Sequence, residues 1–344
     1  MSNTIDIAKF HQLVHEKYLK SGYHPSGDLI IWNYTDHTQF TKHWTPETLI
    51  ARGLITTRTG QIVARPFPKF FNYDELPISK QRLLNDMKFI ATKKLDGSLG
   101  ILYFYQGKPY IASRGSFNSD QAKVANELLL TYDLSNLNFH HTYIFEIIYP
   151  ENKIILDYGN RKELILLGIV DINTGNDVEI NSIDWNWPVV ETIVDKSLSE
   201  LSEADIDNEE GYVIRFLPDN FRIKLKFKKY IILHRPPKNS TARDVWYRLA
   251  NNKSFDTLLK NMADEYYDSI KEWKIKLMNE FEKIDSYVLE QISLFEHMTD
   301  KKELAKKVRK LDHGNIILFA LNKKDYKKLI WKKIKPAANE LLMS

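Results

Sequence analysis

At 344 residues the chain is long enough for two domains, and with 43% hydrophobic and 27% charged residues it has the composition of an ordinary globular protein. It has no cysteine, which excludes disulfides, thiolate metal sites and a cysteine nucleophile and fits a reducing, intracellular setting. The longest apolar runs, such as Leu164-Ile165-Leu166-Leu167, are too short to span a bilayer, and Asp6, His11 and Glu16 interrupt any secretion signal. The net charge of +4 is uneven. Residues 301–344 hold 13 Lys/Arg against 4 Asp/Glu, while the remainder holds 36 against 41. A basic tail on a mildly acidic body fits a polyanion partner, although a solvated helix face gives the same count.

In chain order, short β-rich runs alternate with turns over the first two thirds. Phe89–Ala91 is followed by Leu99–Tyr105, the Gln106-Gly107 turn and Pro109–Ser113. Tyr143–Tyr149, Leu164–Asp171, Tyr212–Phe216 and Phe221–Phe227 continue the pattern, the last two joined as a hairpin by Pro218-Asp219-Asn220. A boundary falls near Pro236-Pro237. Beyond it Ile270, Trp273, Leu277, Phe281, Ile284, Val288, Ile292 and Phe295 recur at steps of three and four, which specifies one long amphipathic helix. Thr299-Asp300 with Glu303 reads as a helix start with a capping box. Basic helical stretches then cover Lys301–Leu311 and Lys324–Lys335. The expected fold is α+β: an antiparallel-sheet domain over residues 1–236, then an all-α domain over 237–344.

Three constellations carry chemistry. Lys94-x-Asp96-Gly97 lies between two strand-like runs, where a lysine at the mouth of a sheet presents its amine to a phosphate. Attack requires the neutral amine, which desolvation or nearby cations favour. Gly97 permits a tight turn and Asp96 can fix it. A surface hairpin lysine would look the same. In Phe221–Phe227, strict alternation puts Arg222, Lys224 and Lys226 on one strand face, a cluster that a triphosphate would satisfy. The plain alternative is the charged face of an edge strand. Glu146 interrupts the apolar run Tyr143–Tyr149, and Glu210 stands directly before a strand. A carboxylate in or beside a sheet core needs a cation, a ribose hydroxyl or a metal, unless it faces solvent. No glycine-rich phosphate loop, histidine metal motif or nucleophile elbow occurs.

Taken in order, these segments resemble the covalent nucleotidyltransferase superfamily of polynucleotide ligases and capping enzymes, and within it the RNA ligase 1 family of phage-type tRNA-repair ligases. Lys94-Leu95-Asp96-Gly97-Ser98 resembles the nucleotidyl motif, Phe145-Glu146 the ribose-contacting motif, Glu210-Gly211-Tyr212-Val213 a metal-associated motif, and Lys224-Leu225-Lys226 the phosphate-binding motif. Arg52-Gly53 and Ala64–Asn72 are similar to the family's upstream phosphate-contacting stretch, which carries over to Arg52 and Lys69. Ser113-Arg114-Gly115-Ser116 replaces the usual lysine with Arg114 but keeps a cation. The resemblance implies a nucleotidyltransferase (ATP-grasp-like ligase) domain and ATP-dependent joining of 5′-phosphate and 3′-hydroxyl RNA ends. Lys94 would be the adenylylated nucleophile. Arg52, Lys69, Asp96, Arg114, Glu146, Lys224 and Lys226 would contact the nucleotide, and Glu210 would contact Mg2+, with Mn2+ as a substitute. It further implies single-stranded RNA or cleaved tRNA as partner, no membrane, a monomer, and a cytoplasmic setting that includes a phage enzyme acting in its host. Rival readings are a DNA ligase, a capping guanylyltransferase, or an inactive RNA-binding protein. If the tail contacts RNA phosphates, neutralising the lysines between Lys323 and Lys335 should weaken RNA binding and flatten its dependence on salt, measured by titration at several ionic strengths.

Overall fold

The structure is a computed structural model that describes residues 3–180, 187–217, 219–233, 242–255, 258, 267–322 and 324–337. Two compact units divide the chain at 234/235, and each is described by itself. The expected boundary at 236/237 lies outside the described residues.

The amino-terminal unit is built on three sheets. Strands β1 (Leu19–Tyr23), β2 (Leu29–Tyr34), β3 (Arg52–Thr57) and β4 (Ile62–Ala64) form an antiparallel sheet in chain order. All six residues of β2 are buried, which is why it reads as one apolar run rather than an alternating one. Strands β5 (Phe71–Asn72) and β6 (Phe89–Lys94) begin the second sheet. The third comprises β7 (Ser98–Tyr105), β8 (Lys108–Ser113), β9 (His141–Ile148), β10 (Glu163–Asp171) and β11 (Asp177–Val178), ordered β11-β10-β9-β7-β8. Strands β12 (Thr192–Ile193), β13 (Gly211–Phe216) and β14 (Phe221–Lys226) complete the second as β12-β6-β13-β14-β5.

The strand-like runs read from the sequence fall on β6 to β10, β13 and β14. Gln106 and Gly107 take φ of +50° and +74°, the two left-handed residues that close a β7–β8 hairpin with the strand twist. The Phe216–Phe221 pair closes the β13–β14 hairpin, although Pro218 lies outside the described residues. One pairing departs from the antiparallel expectation: β5 runs parallel to β14.

Burial explains the layering. Tyr143, Phe145 and Ile147 alternate along β9 into a core shared with Ala125 and Leu129 of the helix Asp120–Leu129, which starts on a Ser119 cap. Tyr212, Ile214, Phe216, Ile223, Leu225 and Phe227 form the second sheet's own core. The opposite faces of β6, β13 and β14 are thereby left for polar side chains.

In the second unit the helix Tyr267–Phe295 buries Ile270, Leu277, Ile284 and Val288, the stripe that its periodicity specifies. Shorter helices pack with it at Lys301–Val308, Gly314–Leu321 and Lys327–Lys333. The first of these is capped by Asp300 rather than Thr299: its carboxylate accepts the Lys302 and Glu303 N–H groups at 2.8 and 3.1 Å. Among the described residues no helix is long and apolar enough to cross a membrane.

One backbone position controls the second sheet. Gly211 has φ +143°, and a Cβ there would run into the Leu225 carbonyl oxygen. Gly211→Ala combines a strained backbone with a backbone clash, each about 1–3 kcal/mol. It should lower the urea midpoint by the equivalent of roughly 2 kcal/mol or more.

Candidate active site

Strand pairing assembles the site. Lys94 ends β6, Gly211 opens β13 and Lys226 ends β14, and these three stand opposite one another across adjacent strands. The residue before Gly211 is Glu210, whose side chain is 4% exposed. Its Oε1 lies 2.7 Å from Lys94 Nζ and 3.9 Å from Lys226 Nζ. Two lysines far apart in sequence thus face one buried carboxylate. The neighbouring Lys93 points to the other strand face, where it pairs with Glu191 at 2.9 Å and Glu209 at 3.1 Å.

The turn after Lys94 is held from several sides. Asp96 is 4% exposed, and its carboxylate accepts the N–H groups of Ile155 (2.8 Å) and Leu156 (2.7 Å) and the Tyr230 hydroxyl (2.8 Å). Its own N–H donates to the Tyr158 hydroxyl at 2.9 Å. Both carboxylate oxygens are engaged by the protein. Asp96 therefore fixes the turn. Gly97 donates to Glu146 Oε1 at 2.9 Å, and a Cβ on Gly97 would meet the Ile147 carbonyl oxygen at 2.7 Å. Only glycine lets the turn lie this close to β9.

Glu146 is buried on β9 beside these groups rather than facing solvent. Burial pushes its carboxyl up to about 7; the Lys94 ammonium opposes this, Glu210 adds to it, and the Gly97 N–H and Arg52 oppose it further.

A cleft of about 710 Å³ connects these residues, within the range of small-molecule sites. Lys94, Asp96, Glu146, Glu210, Lys224, Lys226, Arg52 and Arg114 all line it. Lys69 does not. It is 7% exposed, and its ammonium sits among the rings of Tyr34, Trp44 and Phe71 at 5.2–5.5 Å, a cation–π cage. Arg222 lines the cleft as alternation requires, yet it already faces an anion: Asp177 Oδ2 lies 2.6 Å from Arg222 and 3.1 Å from Arg215. Lys224 and Lys226 line the cleft on the same strand face as Arg222. Tyr158 and Tyr230, which fix the turn, carry no signal in sequence. Asn33 does carry one, as a polar residue in an apolar run, the same signal that marked Glu146.

For a divalent cation, the described residues hold no cluster of three or more His, Cys, Asp or Glu. Glu210 and Glu146 nevertheless suit a magnesium-like ion, which takes one or two carboxylates and completes its shell with substrate oxygens and water.

A family model described as RNA ligase matches residues 50–231, which spans every one of these cleft residues except Lys20 and Asn33 of the first sheet. The chain belongs to this RNA ligase family. A candidate RNA ligase of Thermovibrio ammonificans is 27% identical over 315 residues, 76% of this chain and 82% of that protein. The RNA ligase of Rhodothermus phage RM378 is 25% identical over 189 residues, 43% of this chain, and the chain spans only 42% of the phage enzyme's length. A solved structure of a Naegleria gruberi RNA ligase mutant with AMP and Mn aligns with TM-score 0.41 and 17% identity, over 50% of this chain and 60% of that one. That likeness is too low to carry a residue assignment.

The buried carboxyl gives a pH test. Because Glu146 titrates near 7 in the folded chain against an ordinary 4.5, its contribution to stability is fully present below 4.5 and is lost as pH rises through about 7. Urea midpoints from pH 4 to 8 should therefore fall more steeply with pH for the wild type than for Glu146→Gln, with the two curves separating between about 4.5 and 7.

Proposed function

We propose that the chain is an ATP-dependent RNA ligase whose Lys94 carries AMP between the nucleotide and an RNA 5′-phosphate. The observation that carries this reading is the shared carboxylate: Lys94 and Lys226, from two strands, converge on Glu210 within one cleft. A lysine beside a carboxylate that can take its proton, at the mouth of a cation-lined cleft, is placed to attack a phosphate once that proton has left. The family's activity supplies the substrate class.

Three in-line displacements follow. Neutral Lys94 Nζ attacks the α-phosphorus of ATP, forming an N–P bond and releasing pyrophosphate; the amine's proton must leave, and Glu210 is the carboxylate next to it at 2.7 Å. A phosphate oxygen of the RNA 5′ end then attacks the same phosphorus and frees Lys94, leaving a 5′-to-5′ adenylylated end. The 3′-hydroxyl of another end attacks that end's own phosphate, expelling AMP and forming the phosphodiester. Each displacement builds negative charge on non-bridging oxygens, so positioning and fixed cations supply the catalysis. Lys224 and Lys226 line the cleft on the same strand face for that task, and Arg52 and Arg114 line it from other strands and loops. Glu146 would hold the nucleotide ribose. Glu210 is the residue that would hold a divalent cation, whose chemistry is to neutralise phosphate charge. The helical unit with its basic helix Lys327–Lys333 would take single-stranded RNA or cleaved tRNA as a monomer. The setting would be the cytoplasm, that of a phage host included.

Incubation with labelled ATP should yield a covalent lysyl-AMP adduct, detected after denaturing electrophoresis. Lys94→Ala should lose it, together with end joining, by more than 1,000-fold, while RNA binding is kept. An adduct with GTP alone would sink the ligase reading and favour a guanylyltransferase.

A further inference from the structure

The first sheet places a polar row on the cleft wall that the displacement chemistry above does not use in full. Lys20 on β1, Asn33 on β2 and Arg52 on β3 are ladder partners across three adjacent strands, and all three line the cleft. Asn33 is the unusual member. It is 2% exposed in a wholly buried strand, and its Oδ1 meets no hydrogen-bond donor among the described residues. Arg52 Nη1 is likewise buried and unpartnered. The β2–β3 register shifts between Trp32 and Asn33, so a bulge sits where the strand turns from core to cleft. Trp32 packs edge-on against Phe10 and donates to Thr56 at 2.9 Å, while Asn33 lies against the cleft beside Gly115.

A buried amide oxygen with no donor is unfavourable, and in a binding cleft a ligand donor removes the penalty. Phosphates at neutral pH offer only acceptors, which suit Arg52 and Lys20. A ribose hydroxyl offers a hydrogen, which suits Asn33 Oδ1. Ladder partners stand about 4.5–5.5 Å apart at Cβ, so Asn33 and the two cations can reach neighbouring groups of one ligand.

We propose that Asn33 reads the ribose: its Oδ1 accepts a hydrogen bond from the 2′-hydroxyl of a ribonucleotide whose phosphate rests on Arg52, with Lys20 beside it. This deepens the ligase reading and rests on it for the substrate class. The ribonucleotide is either ATP or a residue of the RNA strand, and the hydroxyl is what separates RNA from DNA at such a position.

Direct binding needs no turnover and so tests the proposal apart from the ligase reading. Wild type, Asn33→Leu and Asn33→Asp of the full chain are titrated with ATP, 2′-deoxyATP, a 5′-phosphorylated oligoribonucleotide and the matching oligodeoxyribonucleotide. The wild type should prefer the ribo member of one pair by about tenfold or more, and the pair that shows the preference names the source. Asn33→Leu should bring that ratio close to one. Asn33→Asp, of the same size and still an acceptor, should bind more weakly overall but keep the ratio. An unchanged ratio in Asn33→Leu, no preference in the wild type, or an altered base preference with the sugar ratio intact would overturn the proposal. If Asn33→Leu gives no cooperative melt, Asn33→Asp decides alone, since loss of the ratio there excludes the acceptor role. A wild type that binds as described but forms no lysyl adduct would overturn only the ligase reading.

Discussion

The Asp96 carboxylate is the contact on which the cleft's geometry depends. By accepting from Ile155, Leu156 and Tyr230 it ties the turn after β6 to two segments that lie 59 and 134 residues away in sequence. Each such hydrogen bond to a charged group contributes about 1.5–3 kcal/mol. A flexible lysine at a strand end would sample many rotamers; one that leads into a turn anchored on both oxygens of a buried acid has its backbone direction fixed. Glu146 and Tyr158 accept from the Gly97 and Asp96 N–H groups and complete the anchoring of the turn that holds Lys94 beside Glu210.

The electrostatics of the cleft are a balance of opposed burial costs. Glu210 has two ammonium groups within 4 Å, whereas Glu146 is raised chiefly by its burial, which the Lys94 charge and then the Gly97 N–H only partly offset. Arg222 and Arg215 are balanced by Asp177, which bridges from β11 of the third sheet to β13 and β14 of the second. That ion pair ties two walls of the cleft together. It also keeps a strongly cationic strand from collapsing onto whichever anion is nearest.

Much of this was legible in the sequence because it depends on local period. The alternation in Phe221–Phe227 fixed which cations share a face, and the polar interruption at Glu146 marked a carboxylate turned toward a site. What alternation cannot report is the partner across space. Nothing near Arg222 in sequence names Asp177, and nothing near Lys69 shows that Tyr34, Trp44 and Phe71 enclose it away from the cleft. Asp96 read as a turn-fixing residue, but the partners that hold it there, Ile155, Leu156 and Tyr230, are ones that only the fold brings near. Strand β2 escaped notice for a different reason: a strand buried on both faces has no period to detect.

Lys93 and Lys94 are chemically the same amine one peptide apart, and the pleat of β6 alone assigns them different fates. A slip of one residue in the β6–β13 pairing would carry the first toward Glu210 and the second toward Glu191 and Glu209. Which lysine meets Glu210 is therefore a by-product of strand registration, held at Gly211, where a Cβ would run into the Leu225 carbonyl oxygen. Folding and the choice between two like amines are thus one event, since pairing β6 with β13 is what selects the lysine beside Glu210.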